Sequence, residues 1–92
     1  MSKITVRIPM PLRPFVDDAT VMDADADTVS AALEQIGNHH PGFLQRVIVS
    51  DGELRPYVNV FVGVDDVRSQ SGLETRLHDG DVISIIAAVA GG

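Results

Sequence analysis

The segment Leu77–Gly92 has the sequence LHDGDVISIIAAVAGG. Asp79-Gly80 is typical of a tight turn, and the residues Val82–Ile86 that follow it are nearly all apolar. A short apolar run bounded by a turn is typical of a strand in the middle of a sheet. We therefore predict a central last strand with both faces largely covered.

Three other segments predict partners for this strand. Lys3–Ile8 alternates polar and apolar residues, which is typical of a half-buried strand. A weaker strand is predicted over Ala19–Asp23. Tyr57–Val62 predicts a strong strand, because its alternate valines are β-branched and share a face. Three prolines should stop strand pairing after the first strand: Pro9, Pro11 and Pro14.

One main helix is predicted between the second and third strands. Asp27 or Thr28 can cap its first turn, and Gly37 with Asn38 should end it. Its apolar stripe has helical spacing: Val29, Ala32, Leu33 and Ile36. A short helical segment is predicted around Phe43, Leu44 and Val47, and one more turn over Leu73–Leu77.

The order of these elements predicts an α+β fold. A mixed sheet of four or five strands with one main helix on one face fits it. A length of 92 residues argues for a single domain, predicted here to span residues 1–88. Residues 89–92 are expected to form a flexible tail.

Composition excludes several function classes. The formal net charge of -6 disfavours binding to nucleic acids and to anionic membranes. The absence of cysteine excludes disulfides and thiolate chemistry. The start of the chain has no apolar segment typical of a signal peptide, so a cytoplasmic location is expected.

Polar clusters elsewhere give no catalytic or metal-binding pattern. The three histidines, His39, His40 and His78, lack ligand spacing and are expected to be solvated. The alternating run from Asp23 to Asp27 lacks the glycine and the distal glutamate of a calcium loop. We interpret it as a solvated loop before the helix.

The chain end is the candidate for chemistry. Gly91 and Gly92 carry no side chains, so this segment could thread a narrow channel and remain mobile until a partner holds it. A frayed terminus, a cloning remnant or a truncation point would have the same two glycines.

Several motifs resemble the ThiS/MoaD family of ubiquitin-like sulfur carriers. The Leu77–Gly92 segment is similar to that family's Leu-x-Asp-Gly-Asp turn, apolar strand and Val-x-Gly-Gly end. Tyr57–Val62, Asp66–Arg68 and the start of the chain are similar as well. The likeness is greatest to MoaD-like carriers of cysteine biosynthesis, although Ala87-Ala88 stands where many relatives have proline. The resemblance implies a β-grasp fold.

The resemblance also implies a mechanism. A partner enzyme of the ubiquitin-activating type would use ATP to adenylate the carboxylate of Gly92. A sulfur donor would then convert it to a thiocarboxylate, for an acceptor such as a cysteine synthase. Gly91 and Ala90 complete the tail. This protein would be a co-substrate without a cofactor of its own, and not an enzyme.

One sheet face is a candidate docking surface, because exposed apolar patches commonly mark interfaces. It is expected to contain Tyr57, Phe61, Val82 and Ile86. A loop or self-association could instead cover these residues.

Other functions stay open. A ubiquitin-like modifier joined to lysines through Gly92 needs the same tail, whereas a β-grasp interaction module needs none. The sulfur could go to cysteine, to thiamine, to the molybdopterin cofactor or to a specialised metabolite.

Overall fold

A computed structural model describes residues 2–49 and 52–87. Its strands are β1 (Ser2–Arg7), β2 (Val21–Ala26), β3 (Val58–Val62), β4 (Asp65–Asp66) and β5 (Val82–Ala87). The α-helices are α1 (Val29–His39) and α2 (Pro41–Val47). Short 3-10 helices cover Met10–Val16, Val67–Ser69 and Gly72–Glu74.

The strands form one five-stranded mixed sheet in the order β2-β1-β5-β3-β4. β5 runs parallel to β1 and antiparallel to β3, and the remaining neighbours are antiparallel. The predicted α+β class and the central position of the last strand are confirmed. The predicted tail follows the central strand in sequence, so the end of β5 is the part of the described structure nearest to it along the chain.

A single apolar core fills the space between the sheet and α1. The inward residues of β1 and β5, among them Val6 and Ile83, are fully buried. They pack with the predicted stripe of α1 and with Phe43 and Val47 of α2. The short helix predicted around Phe43 is thus confirmed, and it closes one end of the core.

The interpretation of the Asp23–Asp27 run as a loop is wrong for most of its length. Residues 23 to 26 belong to β2, where Ala24 and Ala26 are buried and Asp23 and Asp25 are exposed. The Asp-Ala alternation is therefore the period-2 pattern of a half-buried edge strand. The Gln35 side chain of α1 covers part of this edge, because it bonds both the N–H and the C=O of Asp25, at 2.8 and 3.0 Å.

The start of α1 is as predicted, but its end is not. The Thr28 hydroxyl accepts from the N–H of Ala31 at 3.1 Å, so Thr28 is the cap. The helix continues through Gly37 and Asn38 to His39. Gly37 lies inside the helix, where a Cβ would stand 2.8 Å from the Leu44 side chain. The glycine permits close packing of α1 on α2 and does not end the helix.

Some smaller differences concern the start of β3 and the segments that follow it. Tyr57 lies in the turn before β3 and not within the strand. The segment 63–72, for which the sequence predicts no helix or strand, contains β4 and a short 3-10 helix. The helical turn predicted over Leu73–Leu77 lies slightly earlier, at Gly72–Glu74.

Candidate functional site

The Asp-Gly-Asp turn fixes the start of β5 against β1. The Lys3 N–H donates to the Asp79 carboxylate at 2.7 Å, and the Lys3 carbonyl accepts from the Gly80 N–H at 2.9 Å. Asp81 holds the turn from within, since its carboxylate accepts from the His78 N–H at 2.8 Å. Gly80 has a φ of +87°, which favours glycine. The acidic residues of this motif therefore have a structural role at the far end of the strand from the tail.

The other end of β5 is where the predicted tail starts. Its last residues pair with β3, with Ile86 opposite Asn59 and Ala87 opposite Val58. Ala90, Gly91 and Gly92 lie outside the described residues, as do Ala88 and Val89. The tail and its boundary therefore stay predictions.

The outer face of the sheet, turned away from α1, is partly apolar. Val82 and Ile86 of β5 are 37% and 53% exposed. Phe61 is half-buried and pairs with Ser84 between them. The prediction that both faces of β5 are covered is thus wrong for the outer face. Phe61, Val82 and Ile86 are three of the four expected docking residues, and they alternate with more buried residues along β3 and β5. The fourth, Tyr57, lies in the turn before β3 and is 39% exposed.

The sequence reasoning missed several residues near the tail end of this face. Arg7 and Val21 occupy one row of the sheet with Ser84. An open groove at this corner is lined by Arg7, Arg13, Val21 and Ile86, among others. The parallel pairing of β1 with β5 brings these residues together. Strand alternation indicates that Arg7 is exposed, but the strand order had to be known to place it beside Ile86.

Two more arginines lie on the β3 side of the same end. Arg68 donates to the Asn59 side chain at 2.7 Å and to the Arg55 carbonyl at 3.1 Å. The Arg55 carbonyl also accepts from the N–H of Val58, the residue that pairs with Ala87. The end of β5, from which the predicted tail starts, thus has arginines on its β1 side and on its β3 side.

The histidine and acidic residues considered for metal binding do not form such a site in the described part of the chain. Within residues 2–49 and 52–87 no three His, Asp or Glu side chains form a group that could hold a metal ion. His39 ends α1 and His40 separates it from α2, far along the chain from His78. None of the helices that the structure describes has the length and apolar character needed to cross a membrane.

Comparisons with known proteins agree with this fold. A sulfur carrier protein, CysO of Mycobacterium tuberculosis strain H37Rv, is 37% identical over 91 residues, which cover 97% of this chain and 98% of that protein. A crystal structure of an Amycolatopsis orientalis BexX/CysO complex contains a chain that superposes with a TM-score of 0.89 at 35% identity, covering 97% of this chain and 99% of that one. The β-grasp prediction is confirmed by this likeness.

A modifier protein is also among the relatives. Small archaeal modifier protein 3 of Haloferax volcanii is 39% identical over 71 residues, covering 77% of this chain and 75% of that protein. A sequence profile of the ThiS family matches residues 6–92, almost the whole chain. Since that match runs from the first strand through the Gly-Gly end, the chain belongs to the ThiS family.

Proposed function

We propose that this protein is a sulfur carrier whose reactive group is the carboxylate of Gly92. The observation that carries the proposal is the family match, which extends to residue 92 and is joined by a near full-length likeness to a sulfur carrier. A carboxylate is an anion with a pKa of about 3.5 and a poor electrophile at neutral pH. A partner must therefore activate it with ATP before a sulfur donor can replace one oxygen.

In this mechanism the chain delivers its end and performs no catalysis itself. The first half of β5 is paired with both neighbouring strands and Ala87 is paired with Val58 of β3, so Ala87 is a firm point of departure. Gly91 and Gly92 bring no side chains into the partner's active site. Ala90 adds only a methyl group. Adenylation of Gly92 supplies the leaving group, and attack by the sulfur donor gives the thiocarboxylate.

The outer face is proposed to dock the activating enzyme. Ile86 offers an apolar contact next to the tail, Phe61 and Val82 extend the apolar surface toward the start of β5, and the exposure of Ile86 and Val82 supports this role. Tyr57 adds an aromatic ring at the edge of the same region. An interface centred here would hold the carrier while its tail enters the partner's active site.

The proposed destination of the sulfur is cysteine. The likeness to CysO favours it over thiamine, the molybdopterin cofactor or a specialised metabolite. An acceptor such as a cysteine synthase would take the sulfur, and a cytoplasmic location suits a soluble metabolic carrier. The carrier needs no bound cofactor, because the partner supplies the ATP chemistry.

A second candidate function is protein modification. The likeness to a small archaeal modifier protein favours it. A modifier would form an isopeptide bond between Gly92 and a lysine of another protein. The two functions share activation and differ in the group that attacks the activated glycine.

The two candidates can be distinguished in cells that contain the chain naturally. Proteins from these cells are digested with trypsin and analysed by mass spectrometry. A modifier would leave the remnant Leu77–Gly92 on target lysines, because Arg76 is the last tryptic site before the end. A sulfur carrier is expected to leave no such remnant and to yield a Gly92 thiocarboxylate. Abundant remnants without any thiocarboxylate would contradict the proposed function.

A further inference from the structure

Four of the six arginines belong to segments beside the end of β5 from which the predicted tail starts. We call them the arginine collar: Arg7, Arg13, Arg55 and Arg68. Arg7 and Arg13 line the groove beside Ile86 on the β1 side. Arg55 and Arg68 lie on the β3 side, where Asn59 and Val58 pair with the last two residues of β5.

The four collar arginines do not neutralise acidic side chains in the described part of the protein. Among the residues that the structure describes, none of the four guanidinium groups lies within ion-pair distance of a carboxylate. Three of the four donate to backbone carbonyls: Arg13 to Ile8, Arg55 to Gln45 and Arg68 to Arg55. Arg7 is exposed and makes no side-chain hydrogen bond within the described residues. The collar is therefore a positive region in a chain of net charge -6.

The presence of arginine and not lysine at these positions has a chemical consequence. The chain has a single lysine, Lys3, and no cysteine. Lysine loses its proton with a pKa of about 10.4, so a fraction of the amine is free and nucleophilic near neutral pH, whereas arginine stays protonated. A lysine near an activated glycine could attack it, and an arginine could not.

Sheet geometry places Lys3 far from the tail. Thr5 pairs with Val82, five residues before Ala87, and Lys3 lies two residues earlier along β1. A rise of about 3.3 Å per residue and one strand spacing put the Cα atoms of Lys3 and Ala87 about 24 Å apart. Five residues span at most about 17 Å when fully extended. The Lys3 amine could meet Gly92 only with the tail stretched back along the whole face.

The collar is much nearer. Arg7 pairs with Ser84, three residues before Ala87, so the same geometry gives about 11 Å between the Cα atoms of Arg7 and Ala87. The five residues after Ala87 span at most about 17 Å when fully extended, which exceeds that distance. A nucleophile at position 7 would thus lie within easy reach of Gly92.

We infer that the arginine collar protects the activated carrier from acylating itself, an inference that rests on the proposed function. The collar supplies positive charge at the base of the tail without supplying an amine. In the reaction that it avoids, a lysine Nζ attacks the activated carbonyl carbon of Gly92 and a C–N bond forms. The bond to the leaving group breaks, the leaving group departs with its electron pair, and the amine loses a proton. The product is a closed loop that cannot accept sulfur.

The experiment uses chemical activation and no partner enzyme. The full chain is prepared as a Gly92 thioester with 2-mercaptoethanesulfonate, in wild-type form and as Arg7→Lys and Arg76→Lys. Arg7→Lys keeps the charge and removes no described hydrogen bond. Arg76→Lys is the matched control, because Arg76 lies near Asp81 at the opposite end of β5. Intact mass then follows each sample in mildly alkaline buffer, and circular dichroism checks the folding of each variant.

Loss of the thiol without gain of water marks the closed product, and peptide mapping locates its amide. Arg7→Lys is expected to form it at least about tenfold faster than the other two proteins, since a short flexible linker gives a millimolar effective concentration. The rate should not depend on protein concentration. Equal stability of all three thioesters would overturn the inference, and so would equally rapid closure of the wild type onto Lys3. Neither result depends on whether a partner enzyme forms the thiocarboxylate.

Discussion

Asp79 accepts a hydrogen bond from the backbone N–H of Lys3 at 2.7 Å, across 76 positions of sequence. The next residue, Gly80, donates to the carbonyl of Lys3. These two contacts join the start of β5 to the start of β1, so the parallel register of the central strand pair is set at the end opposite the tail. The Asp-Gly-Asp motif is part of the family resemblance, and the hydrogen bonds that it makes with backbone groups explain it.

The Asp79→Ala variant should be less stable, because the Lys3 N–H loses its acceptor. An exposed, charge-assisted bond of this kind contributes about 1 kcal/mol to the free energy of unfolding. Urea denaturation of the variant and the wild type measures the difference. Asp65→Ala is the control, since it removes the same charge from an exposed strand residue that accepts no described side-chain hydrogen bond. An equal loss in both variants would show that the Lys3 contact is not responsible.

The Gly37→Ala variant should also be destabilised, although alanine favours helices. The new Cβ would stand 2.8 Å from two carbons of Leu44. Overpacking costs about 1–3 kcal/mol, against a gain in helix propensity of about 1 kcal/mol. Thermal unfolding should therefore show a lower midpoint for Gly37→Ala.

A second substitution tests the cause of that effect. In a Leu44→Gly background both contacted carbons are absent, so Gly37→Ala should be neutral or stabilising there. The four proteins form a double-mutant cycle. If Gly37→Ala lowers stability equally in both backgrounds, the Leu44 contact is not the reason that glycine occupies this position.

The Ile86→Asp variant should impair activation by the partner enzyme. It places a charge at an apolar position that is 53% exposed, so folding should be retained while docking is lost. A central interface residue contributes about 2 kcal/mol, which corresponds to a roughly 30-fold fall in kcat/KM for adenylation. Pyrophosphate release measures the rate.

The control for this prediction is Ala31→Asp. Ala31 is exposed in the first turn of α1, on the side of the sheet opposite the outer face. Its rate should stay close to that of the wild type. Unchanged kinetics for Ile86→Asp would remove the outer face from the docking hypothesis.

Much of the fold was predictable because its strands have simple patterns. The valines of β3 and the apolar run of β5 indicate strands directly, and Thr28 is a recognisable helix cap. The Asp-Ala alternation of β2 was misinterpreted because aspartate is rare in strands and alanine contributes little hydrophobicity. An edge strand needs only one covered face, and two buried alanines suffice there.

The site was less predictable, because strand order brings it together. Gly92 and the apolar residues of β5 can be recognised along the sequence. Arg68 is far along the chain from Arg7 and Arg13, and no local pattern joins it to them. Their positions around the strand end follow only from the pairing of β5 with β1 and with β3.

The central claim is that the carboxylate of Gly92 accepts sulfur. The most direct measurement is top-down mass spectrometry of the full chain after incubation with its cognate activating enzyme, ATP and a sulfur source. We predict replacement of one oxygen by one sulfur, located by fragmentation at Gly92 and absent when ATP is omitted. An unchanged mass under conditions in which the enzyme releases pyrophosphate with this chain, or sulfur located at any other residue, would contradict the account.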